Sequence, residues 1–195
     1  DEAHEMEKMF FETFRLGDFR QNIEESEPYL RNSDLVTFDI SAIRQADAPG
    51  VVRPSPNGLF AHEACILSRY AGMSDRVSSF GIFEVNSEQD INNQTAHLIA
   101  QIIWYFIEGY SLRIGDVPNQ KTISKNFKKY VVPLEEQDCQ FVFYKSKLSG
   151  RWWISSMISD ESNTKREIIL PCSYQDYLDS VGGKIPSRMM RILKV

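Results

Sequence analysis

Two carboxylates stand out by their placement. Asp39 closes the apolar run Leu35–Asp39 (LVTFD), and Glu84 falls near the end of Val77–Val85 (VSSFGIFEV). A carboxylate at the end of a buried run can ligate a hard divalent cation through oxygen. It can also accept charge-assisted hydrogen bonds from a cationic organic group. Asp47, just before Ala48-Pro49-Gly50, reads as a loop-shaping residue. Glu63 reads as a helix-dipole or packing partner. His4, His62 and His97 have no ligand spacing to one another and read as structural or surface residues. Ser41 and Ser55 lack a His–Asp arrangement, Gly-x-Ser-x-Gly is absent, and no glycine-rich loop could cradle phosphate.

These carboxylates need elements to position them. Asp1–Leu16 reads as a helix with Met6, Met9, Phe10 and Phe14 on one stripe, ended by Gly17, and Gln21–Arg31 as a short acidic helix. Leu35–Asp39 and Val77–Val85 read as buried parallel strands. Between them lie a long Pro- and Gly-rich loop at 40–58 and a helix over Phe60–Ala71, followed by a turn from Gly72 to Asp75. Asn57-Gly58 suits a turn with left-handed backbone. Gln94–Tyr110 reads as a long helix whose Ala96, Ile99, Ala100, Ile103 and Ile107 stripe faces a sheet. The order α-β-loop-α-β-α implies parallel strands with helical crossovers. Ligands of such sheets bind beyond the carboxyl ends of the strands, where Asp39 and Glu84 both fall.

After Tyr110 the pattern changes. Val131–Val132, Gln140–Lys145, Arg151–Met157 and Glu167–Leu170 read as short strands, with a hairpin turn at Ser149-Gly150. Ser173–Val181 reads as a closing helix capped by Ser173. The expected division is therefore residues 1–110, an α/β domain, and residues 111–195, a basic β-rich tail. Trp104, Trp152, Trp153 and Phe10-Phe11 are expected in core or interface. Two strands make an incomplete parallel sheet, and the chain opens at Asp1 in mid-helix composition. Both point to a missing N-terminal half of the same protein, with completion of the sheet by a partner as the alternative.

The 195 residues carry a net charge of −5, unevenly spread. Residues 1–110 hold 18 acids and 8 bases, and residues 111–195 hold 9 and 14. The basic tail lacks the glycine-rich aromatic signature of an RNA-binding module, so it reads as a solvated face or a contact with an acidic neighbour, with no nucleic acid as partner. Three separated cysteines, Cys65, Cys139 and Cys172, without a CxxC pair read as buried thiols of a reducing compartment, the cytoplasm. No run is long enough for a membrane span, and no export signal opens the chain.

Three stretches carry a resemblance. Thr37–Leu59 (TFDISAIRQADAPGVVRPSPNGL) resembles the arginase-family pattern of an apolar strand, Asp-x-Asp, Ala-Pro-Gly and Pro-x-Pro-Gly-Gly-Leu. Ser79–Asn86 (SFGIFEVN) is similar to the later family strand ending in Glu-Val-Asn-Pro, and Asn93–Ile99 (NQTAHLI) to the start of the next family helix. The likeness is nearest the formimidoylglutamase-like branch. It implies a three-layer α/β fold, a parallel sheet flanked by helices, of which this chain is the C-terminal portion with a β-rich appendage. It also implies hydrolysis of C–N bonds in linear amidines or guanidines, such as formimidoyl-glutamate or arginine, and assembly into oligomers.

The family's cofactor is a pair of Mn²⁺ ions roughly 3.5–4 Å apart that activate water. Their repulsion, on the order of 20 kcal/mol at a dielectric of about 20, requires several carboxylates and imidazoles around them. By the resemblance Asp39 is a metal ligand, Ser41 stands at the position of a second ligand, and Glu84 receives the cationic substrate group. The upstream Gly-Gly-Asp-His-like and Asp-x-His-x-Asp stretches are absent from this sequence. The implied alternative is a catalytically inactive relative that keeps the fold without the ion pair. A further alternative is an interaction module that docks onto another subunit.

Overall fold

A computed structural model describes residues 5–6, 9, 12–134, 139–159 and 165–193. They fall into two compact units, Phe14–Arg113 and Ile114–Val195, the second grouped with the opening Asp1–Thr13.

The first unit opens with α1 (Leu16–Gln21), a 3₁₀ turn (Ile23–Ser26) and α2 (Glu27–Arg31). Most of the expected opening helix, with His4, Phe10 and Phe11, lies outside the described residues. Glu12–Arg15 is irregular, and Gly17 lies inside α1 instead of ending a helix. β1 (Leu35–Asp39) pairs in parallel with β2 (Ser79–Phe83), from Leu35 opposite Ser79 to Asp39 opposite Phe83. α3 (Ala61–Met73) crosses between them, and α4 (Gln94–Ser111) follows β2. Gly72 and Met73 thus belong to α3, not to the turn expected there.

One core joins these elements. Phe38 from β1, Ala64 and Cys65 from α3, and Leu98 and Ile102 from α4 meet Ile43, Ala48 and Val51 of the long loop. Burying these loop residues explains why a proline-rich connection without long regular elements is fixed in one path.

The stripe of α4 expected to face a sheet is corrected. Thr95, Leu98, Ile102 and Gly109 are the buried positions, whereas Ile103 is 45% exposed, Ile107 57% and Trp104 71%. Packing against α3 sets this rotation. A β-carbon added to Gly72 would strike the Phe106 carbonyl, one added to Gly109 would strike the Arg69 carbonyl, and Ser68 Oγ donates to the Ile102 carbonyl at 2.7 Å. Backbones this close leave α4 no freedom to turn its isoleucine face inward.

In the second unit α5 (Ile123–Asn126) leads into a four-stranded antiparallel meander: β3 (Phe127–Leu134), β4 (Cys139–Ser146), β5 (Trp152–Ser159) and β6 (Lys165–Cys172). Alternation along the strands splits the sheet into two faces. Val132, Phe141, Phe143, Trp152, Ile154, Cys172 and Met189 form one core, and Phe127, Tyr144 and Trp153 a second. Trp152 and Trp153 are thus core residues, as neighbours on opposite faces. The closing helix α6 (Tyr174–Val181) is capped reciprocally: Ser173 Oγ accepts from Asp176 N at 3.0 Å, and Asp176 Oδ2 accepts from Ser173 N at 2.8 Å. A further helix, α7 (Ser187–Leu193), follows where none was expected. Among the described residues no helix is long and apolar enough to cross a membrane.

Candidate functional site at the carboxyl rim of the parallel pair

β1 and β2 end together. Asp39 is the last residue of β1, opposite Phe83, and Glu84 is the next residue after Phe83. The structure thus sets the two sequence-predicted carboxylates at the same rim of the pair, on strands that lie about 4.8 Å apart. Both are exposed.

Their local conformations differ. Asp39 caps the 3₁₀ turn Ile40–Ala42 by accepting the Ser41 N–H on Oδ1 at 2.8 Å. Glu84 has φ 63°, the left-handed region that a residue with a β-carbon avoids at a cost on the order of 1–2 kcal/mol. The chain leaves the ladder at this strained residue.

The segments after each carboxylate are stitched together. Asn86 N donates to the Gly50 carbonyl at 2.8 Å, and Gly50 N donates to Thr95 Oγ1 at 2.8 Å. A β-carbon on Gly50 would lie 2.8 Å from Asp90 Cβ and 2.9 Å from Thr95 Oγ1, so glycine is needed at this crossing. Asp90 accepts the N–H groups of Thr95 at 2.8 Å and Ala96 at 2.9 Å, closing the start of α4. Burial pushes the Asp90 carboxyl up, but the donated hydrogen bonds outweigh it and hold its pKa below the ordinary value.

On the far side of the loop, Asp47 accepts from Arg44 Nη2 and from Ala61 N, each at 2.9 Å. The Arg44 hydrogen bond is the largest cause of its lowered pKa. Glu63 accepts from Phe60 N at 2.7 Å and Arg20 Nε at 3.1 Å. The Arg20 and Arg44 guanidinium groups lie 4.0 and 4.3 Å from the Phe60 ring centroid. Arg20 also donates to the Gly58 carbonyl. Asp47 and Glu63 are therefore loop-fixing and helix-capping groups, as their sequence positions suggested. Arg20 and Arg44 were not foreseen.

His62 stacks on Phe60, and His97 lines an open groove with Asp47, Gln94 and Gln101. Among the described residues no three His, Cys, Asp or Glu side chains gather as a metal site. Among the described residues, Asp39 accepts a hydrogen bond from the Ser41 backbone N–H alone. These residues by themselves do not fit a two-ion centre.

The sequence model described as "Arginase family" matches residues 2–108. Among similar proteins, the formimidoylglutamase of Staphylococcus haemolyticus (strain JCSC1435) is 37% identical over 83 residues, covering 42% of this chain and 27% of that protein. The formimidoylglutamase of Staphylococcus aureus (strain MRSA252) is 36% identical over 84 residues, with the same coverage of 42% and 27%. The chain thus spans about a quarter of the length of these relatives. Similar solved structures include Trypanosoma cruzi formiminoglutamase, oxidized, with Mn²⁺, at 22% identity and TM-score 0.47, covering 51% of this chain and 36% of that one. Another is the arginase from Bacillus caldovelox, at 22% identity and TM-score 0.48, covering 54% and 39%. With its signature stretches laid out along β1, the following loop, β2 and the start of α4, and with more than half its length matched, this chain belongs to the arginase family.

Proposed function

We propose that the full-length protein hydrolyses C–N bonds of a linear amidine or guanidine, with formimidoyl-glutamate and arginine as the substrates to test first. In this reading Glu84 receives the cationic group. An amidinium presents two parallel N–H donors, and a carboxylate is the acceptor that matches their charge and geometry. The observation that carries the reading is Glu84 itself, held in a strained left-handed conformation one residue beyond the partner of Asp39. Strained non-glycine residues cluster at functional sites, which supports a functional role for this side chain.

Asp39 serves in this proposal as one ligand of a Mn²⁺ centre whose other ligands lie outside this chain. Two exposed apolar residues, Leu35 on β1 (60%) and Phe83 on β2 (53%), support further layers of the same protein packed against the pair, since parallel sheets are covered on both faces. A second copy is a further proposed partner. The buried cysteines Cys65 and Cys172 agree with a cytoplasmic protein.

One observation favours a second reading, an inactive relative. Ser41 brings no charge, and its N–H is spent on Asp39. The two readings separate in one experiment. Manganese content and release of formamide or urea are measured for the full-length protein and for Ser41→Asp. Stoichiometric manganese with turnover in the natural protein supports the hydrolase. Turnover only after Ser41→Asp supports the inactive relative.

A further inference from the structure

Residues 114–195 lie beyond the family match, and their charge is distributed with a strong bias. Six of the ten lysines of the chain, Lys121, Lys125, Lys128, Lys129, Lys145 and Lys147, fall between residues 121 and 147. No Asp or Glu occurs in β3, β4 or β5. Lys128 on β3 faces Lys145 on β4 in register, a like-charge pair that destabilises a sheet unless an anion offsets it. Among the described residues, none of these six lysines makes an ion pair, whereas several arginines do.

Geometry adds to charge. β3 is an edge strand: it pairs with β4, and no other described strand hydrogen-bonds to it. Its alternate N–H and C=O groups therefore point away from the sheet. Lys128 and Lys129 are consecutive and exposed, so their side chains emerge on the two faces beside that edge. Lys147, one residue beyond β4, donates from Nζ to the Lys125 carbonyl.

We propose that this edge is a docking site for an extended acidic polypeptide segment, which adds a strand alongside β3 and sets carboxylates against Lys128 and Lys129. Such strand addition takes affinity from the backbone and selectivity from the side chains. Charge argues against a second copy as occupant: β3 against itself would oppose lysines, and the other edge strand, β6, opens with Lys165-Arg166. A stacked nucleic-acid strand also fits poorly. Trp152 and Trp153 are buried, and only Tyr174 of the aromatic array on this sheet is largely exposed, at 53%.

The test titrates the full chain with a fluorescent glutamate- and valine-rich peptide. The same peptide with alternate backbone nitrogens methylated, a single-stranded oligothymidylate and anionic phosphatidylserine vesicles run alongside. Expected are saturable peptide binding that weakens with salt, loss of binding for the methylated peptide, and about tenfold weaker binding for Lys128→Glu/Lys129→Glu with an unchanged circular dichroism spectrum. Lys128→Gln/Lys129→Gln, with the side-chain length nearly kept, should weaken binding less. No binding of the plain peptide, equal binding of the methylated one, or preferred binding of oligothymidylate or vesicles would overturn the proposal.

Discussion

Glu63 is 6% exposed and ties three segments: its own helix, through Phe60 N; Arg20 of α1; and, through Arg20, the Gly58 carbonyl. Glu63→Ala leaves the half-buried Arg20 and the Phe60 N–H without this acceptor, so it should cost about 2–3 kcal/mol in a urea unfolding titration. Asp47 makes a different prediction. Arg44 holds its carboxyl below the ordinary range, so the folded state prefers the ionised form more than the unfolded chain does. A depressed folded pKa stabilises above the unfolded value, and that contribution fades as pH falls through the folded one. Stability should therefore drop below roughly pH 4, and Asp47→Asn should flatten that acid limb in unfolding midpoints measured against pH. Both carboxylates were readable by position, Asp47 before a loop triplet and Glu63 early in a helix. Their partners were not, because Arg20 meets Glu63 across 43 residues and no local pattern encodes that distance. The left-handed Glu84 was equally hidden, since its residue type disfavours that backbone. Asn92 and Asn93, also left-handed, carry a residue type that tolerates it.

At the scale of elements, the α3–α4 crossing is the tightest joint in the first unit. Gly72→Ala and Gly109→Ala each place a methyl group against a helix carbonyl that cannot yield without moving a backbone. Each should destabilise by about 1–3 kcal/mol, read from the thermal midpoint. The capping box of α6 offers a milder case: Ser173→Ala should cost about 1 kcal/mol. The existence of β1, β2, α3 and α4 was legible because their apolar runs match the strand and helix periods. The facing of α4 was not. That helix carries two apolar stripes, and periodicity alone does not say which one meets a glycine-lined neighbour. The meander was legible from alternating runs and the Ser149-Gly150 turn, though each strand is longer in the structure than its apolar kernel. α7 escaped notice because it is short.

At the scale of the molecule, the two units carry separate cores and separate accounts. The first belongs to a known family and holds Asp39 and Glu84 at one rim. The second, outside that match, carries the basic edge. A full ion-binding set was not legible in the sequence, and among the described residues no three His, Cys, Asp or Glu side chains gather as one. The central claim is that Glu84 receives a cationic amidine or guanidine. It is tested most directly by steady-state turnover of formimidoyl-glutamate and of arginine by the full-length protein, natural and Glu84→Gln. One of the two substrates should be hydrolysed by the natural protein, with kcat/KM about 100-fold lower in Glu84→Gln because the substrate cation loses its charged partner. Turnover that is unchanged in Glu84→Gln would contradict it.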